Sequence, residues 1–415
     1  MKKYDEYKDS GVAWIGEVPK HWEVIKLKYK YHFQTGATPN TGKKENFEGD
    51  LRWANISDLN GSVVYDTAKH INKEAASKCS MNISPKGSLM YSFKLSVGTV
   101  AFCGEDMYTN EAIASFIPQK NDLKYLFYCA PIFIIHNANR NIYNAPLLNQ
   151  ELIKNALICL PSLNEQTAIA TYLDTHCAKI DNLISIQQKR IALLQELKQS
   201  VITHAVTKGL NPNVEMKQSG VEWIGDVPKH WEYCRFKDFM LLQTTASNSN
   251  KKIGLENIES RSGKFVYTGS EFEGNGIAFS NQDIIYGKLR PYLQKVWLAT
   301  FDGNAVGDFF VFRMKSNSCP SFVKYLMLSD GYTKETDGST IGAKMPRVSS
   351  DFILTMHYCL PPITEQAAIA SYLDRKCATI DTSISNAQHQ IDLLQEYKQS
   401  LITEVVTGKR KVTDN

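Results

Sequence analysis

The sequence has no Cys-x-x-Cys pair, and its nine cysteines are scattered and odd in number. That distribution excludes a disulfide framework and the usual zinc spacings, and it fits reduced thiols serving as small buried hydrophobes. No apolar run approaches the roughly 18 residues that cross a bilayer; the longest candidate is Pro131–Ile135. The opening MKKYDEYKDS lacks the apolar segment of a secretory signal. These absences predict a cytoplasmic chain with no membrane partner. Catalytic signatures are missing too. Residues 36–44, GATPNTGKK, imitate a phosphate loop but put one residue too many between the glycines, and Lys44 stands where Ser or Thr should hold Mg²⁺. There is no G-x-G-x-x-G and no Asn-Pro-Pro-aromatic tetrapeptide, and the Glu196–Lys198 triplet lies in a helical stretch. His21 and His230 have no ligand-spaced neighbour, so a structural role is expected of both. The sequence thus predicts no catalytic residues, no metal site and no cofactor in this chain.

What the sequence has is duplication. SGVAWIGEVPKHWE at 10–23 returns as SGVEWIGDVPKHWE at 219–232. A longer stretch, LPSLNEQTAIATYLD and onward from Leu160 to Thr207, returns without a gap from Leu360 to Thr407, and more than half its positions are identical. At 415 residues there is room for two or three domains with cores of their own. The expected division is 1–159, a first globular domain with its short motif; 160–208, a helical region; 209–359, a linker, the second short motif and a second globular domain; and 360–415, a second helical region with a tail.

The long repeat reads as helix. Leu173, Ile180, Leu194 and Val201 alternate at heptad spacing with Ala170, Cys177, Ile184, Ile191 and Ala205, and the second copy does the same through Ile380, Ile384, Ile391 and Leu394. Asn164 and Thr364 are candidate N-caps, and Gly209 and Gly408 candidate terminators. Each helix would be about 60 Å long. Neither can bury its stripe alone, so the two are expected to pair as an antiparallel intramolecular coiled coil; the alternative is that each lies on its own globular domain. Gln187, Ala387, Lys198 and Lys398 interrupt the stripe, predicting imperfect packing there. Trp223, Ile224, Val227 and Trp231 of the short motif are expected to anchor a core, with ligand stacking by Trp14 and Trp223 the alternative.

Between the repeats lie two dissimilar middles, 24–159 and 233–359. Each holds fifteen Lys plus Arg, against eleven and twelve Asp plus Glu, so the overall charge of +4 comes from the parts that differ. A basic excess there suits a polyanion, and ordinary solvated surface would look the same. Both middles read as mixed strand and helix: GSLMYSF, VGTVAFC, QDIIYGKL, KVWLATF and DFFVFRM as strands, Asn121–Phe133 and Cys319–Asp330 as helices. Their loops carry planar, polar and basic side chains: Lys288, Arg290 and Tyr292 in YGKLRPYLQK; Ser339, Thr340, Lys344 and Arg347 in DGSTIGAKMPRVS; Ser92 and Lys94 in YSFKLSVG; Asn137, Asn139, Arg140, Asn141 and Asn144 in HNANRNIYN. Arg and Lys match guanine O6 and N7, Asn brackets adenine, and the remaining cations neutralise phosphate.

With these residues in view, the chain resembles the DNA-specificity subunit of type I restriction–modification systems over essentially its full length. The resemblance rests on SGVEWIGDVPKHWE, on LPPITEQAAIASYLD through IDLLQEYKQSLITEVVTG, on GKLRPYL and on the duplicated order. It implies an α+β architecture of two globular mixed α/β target recognition domains, residues 24–159 and 233–359, separated by the two antiparallel helices of a coiled coil. It further implies double-stranded DNA as ligand and two methyltransferase subunits, with restriction and translocase subunits, as partners; Ile180, Ile184, Ile191, Leu194, Ile380, Ile384, Ile391 and Leu394 would form the helical interface. S-adenosylmethionine, ATP and Mg²⁺ would be used by those partners. The first middle departs from the pattern, because YSFKLSVG replaces the GKLRPYL loop and NRNIYNAPLLN stands where the second has GSTIGAKMPRV. An asymmetric split target is expected, read by two domains about one helical turn, roughly 34 Å, apart. A scaffold without DNA affinity, or a fused enzyme, are the alternatives; salt-dependent DNA binding and methyl transfer by the chain alone separate them.

Overall fold

The computed structural model describes residues 3–119, 123–247, 250–342 and 344–412. Its longest elements are two helices, α1 (Leu163–Lys208) and α2 (Ile363–Val406), about 65–70 Å each at 1.5 Å per residue. The compact units are drawn differently from the linear division expected above. One comprises Met1–Ile186 with Gln390–Asn415, the other Gln187–His389. Each unit therefore holds the first half of one long helix and the second half of the other.

Within each unit the two half-helices run antiparallel and share a core. In the first, Leu173, Cys177, Ile180 and Ile184 join Leu394, Leu401, Ile402 and Val405. In the second, Ile202, Ala205 and Val206 join Ile369, Ala370, Leu373 and Cys377. The same clusters take in Tyr125, Cys129 and Phe133 from one globular domain and Phe322 and Leu326 from the other. The helices thus pair with each other and lie on the domains, because one apolar stripe is wide enough to face both. Tyr128 donates to Asp174 at 2.6 Å, and Tyr325 to Asp374 at 2.7 Å, pinning each domain to a long helix at matching places.

Two details of the helices differ from expectation. Both begin one residue before the candidate caps, at Leu163 and Ile363, so the capping positions belong to Ser162 and Pro362; the Gln166 N–H donates to the Ser162 carbonyl, and the Glu365 and Gln366 N–H groups to that of Pro362. The lysines that interrupt the stripe are not packing defects. Lys198 Nζ lies 2.7 Å from Asp381 Oδ1 in the second unit, and Lys398 Nζ 2.7 Å from Asp181 Oδ1 in the first. Gln187 does fit the expectation of imperfect packing, its Oε1 being enclosed with no hydrogen-bond partner among the described residues. Gly209 and Gly408 terminate α1 and α2 in the left-handed region, both at φ +74°.

The short motif explains its own duplication. Trp22, Val18, Trp231 and Val227 are fully buried, whereas Trp14 is partly exposed and stacks on His136 at 3.9 Å. His21 meets Glu165 at 3.0 Å, and His230 meets Glu365 at 2.7 Å, so both histidines partner the acidic residue in the first turn of a long helix. Gln166 and Gln366, next in sequence, donate to the carbonyls of Pro161 and Pro361. The end of the other long helix arrives at the same motif: Lys409 donates to the Glu17 carbonyl, and Lys208 to those of Ile224 and Asp226. Gly16 and Gly225 sit at φ +68° beside those lysines, a conformation that any other residue would strain. Each copy is a socket for one helix start and one helix end.

Each middle leaves and returns through a two-stranded ribbon, Glu23–Lys26 against Leu157–Leu160 and Glu232–Arg235 against His357–Leu360. Above it the two domains share the order of four strands in their main sheets despite their different sequences. The main sheet of the first has the order 33–35, 113–116, 89–92, 100–103, with 63–64 at the edge; that of the second has 240–243, 309–314, 284–287, 296–298. A smaller sheet in each contains one parallel pair, 51–54 with 108–109 and 252–253 with 303–305. All five expected strands form at these places, as do helices Leu123–His136 and Pro320–Met327; Asn121 and Asp122 lie outside the described residues.

Candidate nucleic-acid interface

In the second domain the loops chosen from sequence are brought together. The hairpin loop after strand 284–287 meets Arg347 through a Leu289–Arg347 bridge, and Arg347 also bridges to Ile341. The Arg290 N–H donates to the Pro346 carbonyl, and the Val348 N–H to that of Lys288. Asp308 locks the pair of loops. Arg347 donates to both its carboxylate oxygens at 3.0 Å, and Lys288 Nζ lies 3.8 Å away over the Phe310 ring. The hydrogen bond from Arg347 holds the Asp308 carboxyl below its usual range; desolvation opposes this, and the charges of Arg347 and Lys288 add to it.

Seven candidates in this domain therefore separate into two groups. Ser339 and Thr340 turn their hydroxyls back to the Thr336 and Asp337 carbonyls at the end of helix Asp330–Gly338. Together with Arg347 and Lys288 they hold the patch in shape. Arg290, Tyr292 and Lys344 are exposed, and their side-chain heads have no hydrogen bond or ion pair among the described residues. Those three are free to meet a ligand.

The first domain offers a different surface. Lys94 is exposed, 6.0 Å from the Phe93 ring. Asn139 and Arg140 form one strand of a hairpin with Pro146–Leu147, and Arg140 donates to the Asn144 carbonyl. Asn137 and Asn141 are spent on backbone, the first on the Leu152 carbonyl and the second on the Tyr143 and Ala145 N–H groups. Among the described residues no hydrogen bond joins the Lys94 loop to this hairpin. The sequence reading passed over the most prominent side chains here: Ile142 is 91% exposed, Tyr143 82% and Leu95 92%. The signal for the first two was present, since Asn141 and Asn144 bracket them as a turn.

The helical candidates are placed unevenly. Ile180, Ile380 and Ile391 are buried within the chain, while Ile184, Ile191, Leu194, Ile384 and Leu394 are half-buried. Large apolar residues that face outward are others: Leu183, Ile186, Leu393 and Tyr397 in the first unit, Leu193 and Leu197 in the second. Among the described residues no cluster of three His, Cys, Asp or Glu side chains is placed to hold a metal, and no helix is long and apolar enough to cross a membrane.

Residues 19–196 match the type I restriction modification DNA specificity domain family. Over nearly its full length the chain is similar to specificity subunits of type I restriction enzymes. It is 23% identical to the MjaIX specificity subunit of Methanocaldococcus jannaschii, over 96% of both chains, and 22% identical to the EcoDI specificity subunit of Escherichia coli, over 95% of this chain and 90% of that one. The fold matches a chain from a type I R-M system solved for its complex assembly and conformational transition, with TM-score 0.70 and 12% identity over 94% of this chain and 98% of that one. It also matches the HsdS subunit from Thermoanaerobacter tengcongensis, with TM-score 0.53 and 13% identity over 95% and 98%.

Proposed function

We propose that this chain is the specificity subunit of a type I restriction–modification system and reads an asymmetric, split DNA target, one half with each domain, while its long helices dock two methyltransferase subunits that restriction and translocase subunits join. The observation that carries the reading is one four-strand sheet order presented twice with unlike loop chemistry. The second domain offers Arg290, Tyr292 and Lys344 on a braced patch; the first offers Lys94 and Arg140 beside exposed Leu95, Ile142 and Tyr143. Same frame and different tips is what two readers of two different half-sites require. The outward apolar residues of the helices supply surface for a partner subunit, since a polar helix face alone would give little burial. S-adenosylmethionine, ATP and Mg²⁺ belong to the partners in this scheme, and this chain uses no cofactor.

The test is binding of the chain, assembled with its methyltransferase subunits, to a duplex carrying the motif methylated in the source genome. Single-base variants across both half-sites are compared at fixed salt. Sequence-independent binding, or none, would leave an assembly scaffold.

A further inference from the structure

The register of the two recognition sheets puts an unexpected residue in Arg290's place. Tyr91 pairs with Val100 and Ala114, and Tyr286 with Val296 and Phe310, so these buried tyrosines occupy the same site in equivalent strands. Four residues further on, the backbone turns left-handed in both loops, at Leu95 (φ +58°) and at Arg290 (φ +53°). Matching the shared Lys-Leu letters would instead align Lys94 with Lys288, one residue out of register with the strands. Leucine is poorly suited to this position on two counts. A left-handed conformation costs a non-glycine residue roughly 1 kcal/mol or more. Its side chain is also 92% exposed, so nothing in the chain compensates. A glycine would be easier to accommodate and a lysine or serine better solvated.

We propose that Leu95 is a base-reading residue of the first domain, packing its methyls against the C5-methyl of a thymine in the major groove where Arg290 of the second domain reaches a polar base edge. The proposal rests on the DNA-reading function above. The chemistry favours thymine because it alone among the bases presents an apolar group in that groove, and a leucine has no donor or acceptor with which to read the others. Lys94, adjacent and exposed, is placed to hold a phosphate while Leu95 reads.

The experiment uses the chain assembled with its methyltransferase subunits and the duplex bearing the mapped methylated motif, with each thymine replaced in turn by deoxyuracil, which lacks only the methyl. One position in one half-site should weaken binding by roughly threefold to tenfold, the scale of a buried methyl contact. That sensitivity should vanish in Leu95→Gly and persist in Arg290→Ala. Glycine adopts the left-handed backbone without cost, so its loss of discrimination would not reflect a distorted loop. If no thymine responds, or if the response survives in Leu95→Gly, the proposal is overturned. Weakening of all duplexes alike by Leu95→Gly would also overturn it, in favour of a wedge between base steps. Failure of the unaltered complex to prefer the motif would instead strike the DNA-reading function itself.

Discussion

Replacing Lys198 by Met tests whether the ion pair in the helix seam stabilises the fold, and its near-copy in the other unit supplies the control. Lys198 and Asp381 retain 11% and 24% side-chain exposure, whereas Lys398 and Asp181 retain 31% and 55% at the same 2.7 Å separation. Exposed pairs contribute about 0–1 kcal/mol, while removing one partner of a fully buried pair costs about 3–5 kcal/mol. Asp381 keeps a second cation, Lys264 at 2.9 Å, which softens the loss. Lys198→Met should therefore cost about 1–3 kcal/mol, and Lys398→Met at most about 1 kcal/mol. Met keeps an unbranched stem of similar length, so the difference reports charge more than packing. A chain of two units need not unfold in one step, so amide exchange of the helix segments around residues 381 and 181 is the measure, with Asp381→Asn and Asp181→Asn closing two double-mutant cycles. The pH dependence has a definite sign. Desolvation raises the Asp381 carboxyl, but the hydrogen bonds and charges of Lys198 and Lys264 outweigh it and hold the folded value below the ordinary 3.8. The contribution is then complete above that ordinary value and is lost as pH falls from it through the depressed one. Equal losses at the two pairs, or no coupling in the Lys198–Asp381 cycle, would refute the assignment of stabilisation to burial of the pair.

Arg290→Ala should cost about 1–3 kcal/mol of discrimination at one base pair and leave the other half-site untouched, as read by a single-base panel. Lys288→Ala, which removes a group already facing Asp308, should disturb the patch without a base-specific signature; a focused loss at one base pair in that variant would reverse the two roles. Tyr358→Phe removes the buried hydroxyl that donates to the Val206 carbonyl near the end of α1 and should lower local stability by about 1–2 kcal/mol, as read by amide exchange in the second unit, with the methyl-transfer specificity of the assembled complex unchanged. Leu193→Asp with Leu197→Asp, both outward-facing, should abolish co-elution with methyltransferase subunits while leaving the chain's own unfolding midpoint in place; an intact complex would move the docking surface elsewhere.

Much of this protein was legible in its sequence because the informative patterns are local or repeated. The helices followed from a heptad stripe, their ends from Gly209 and Gly408, and the strands from short β-branched or aromatic runs, all of which are properties of neighbouring residues. Duplication also showed that one device had been used twice. What the sequence could not decide are pairings set by distance in the chain. Lys198 looked like a flaw in the stripe, since Asp381 lies 183 residues away and comes opposite only when the half-helices dock antiparallel. His21 was expected to be structural, but its partner could not be named, because Glu165 is 144 residues on. Arg347 stood among the candidate DNA contacts, and only the fold brings Asp308 under it. Leu95 was invisible for a related reason. Letters align Lys94 with Lys288, but strand hydrogen bonds, not side-chain identity, set the register of a sheet, and they put Leu95 where the other domain has Arg290.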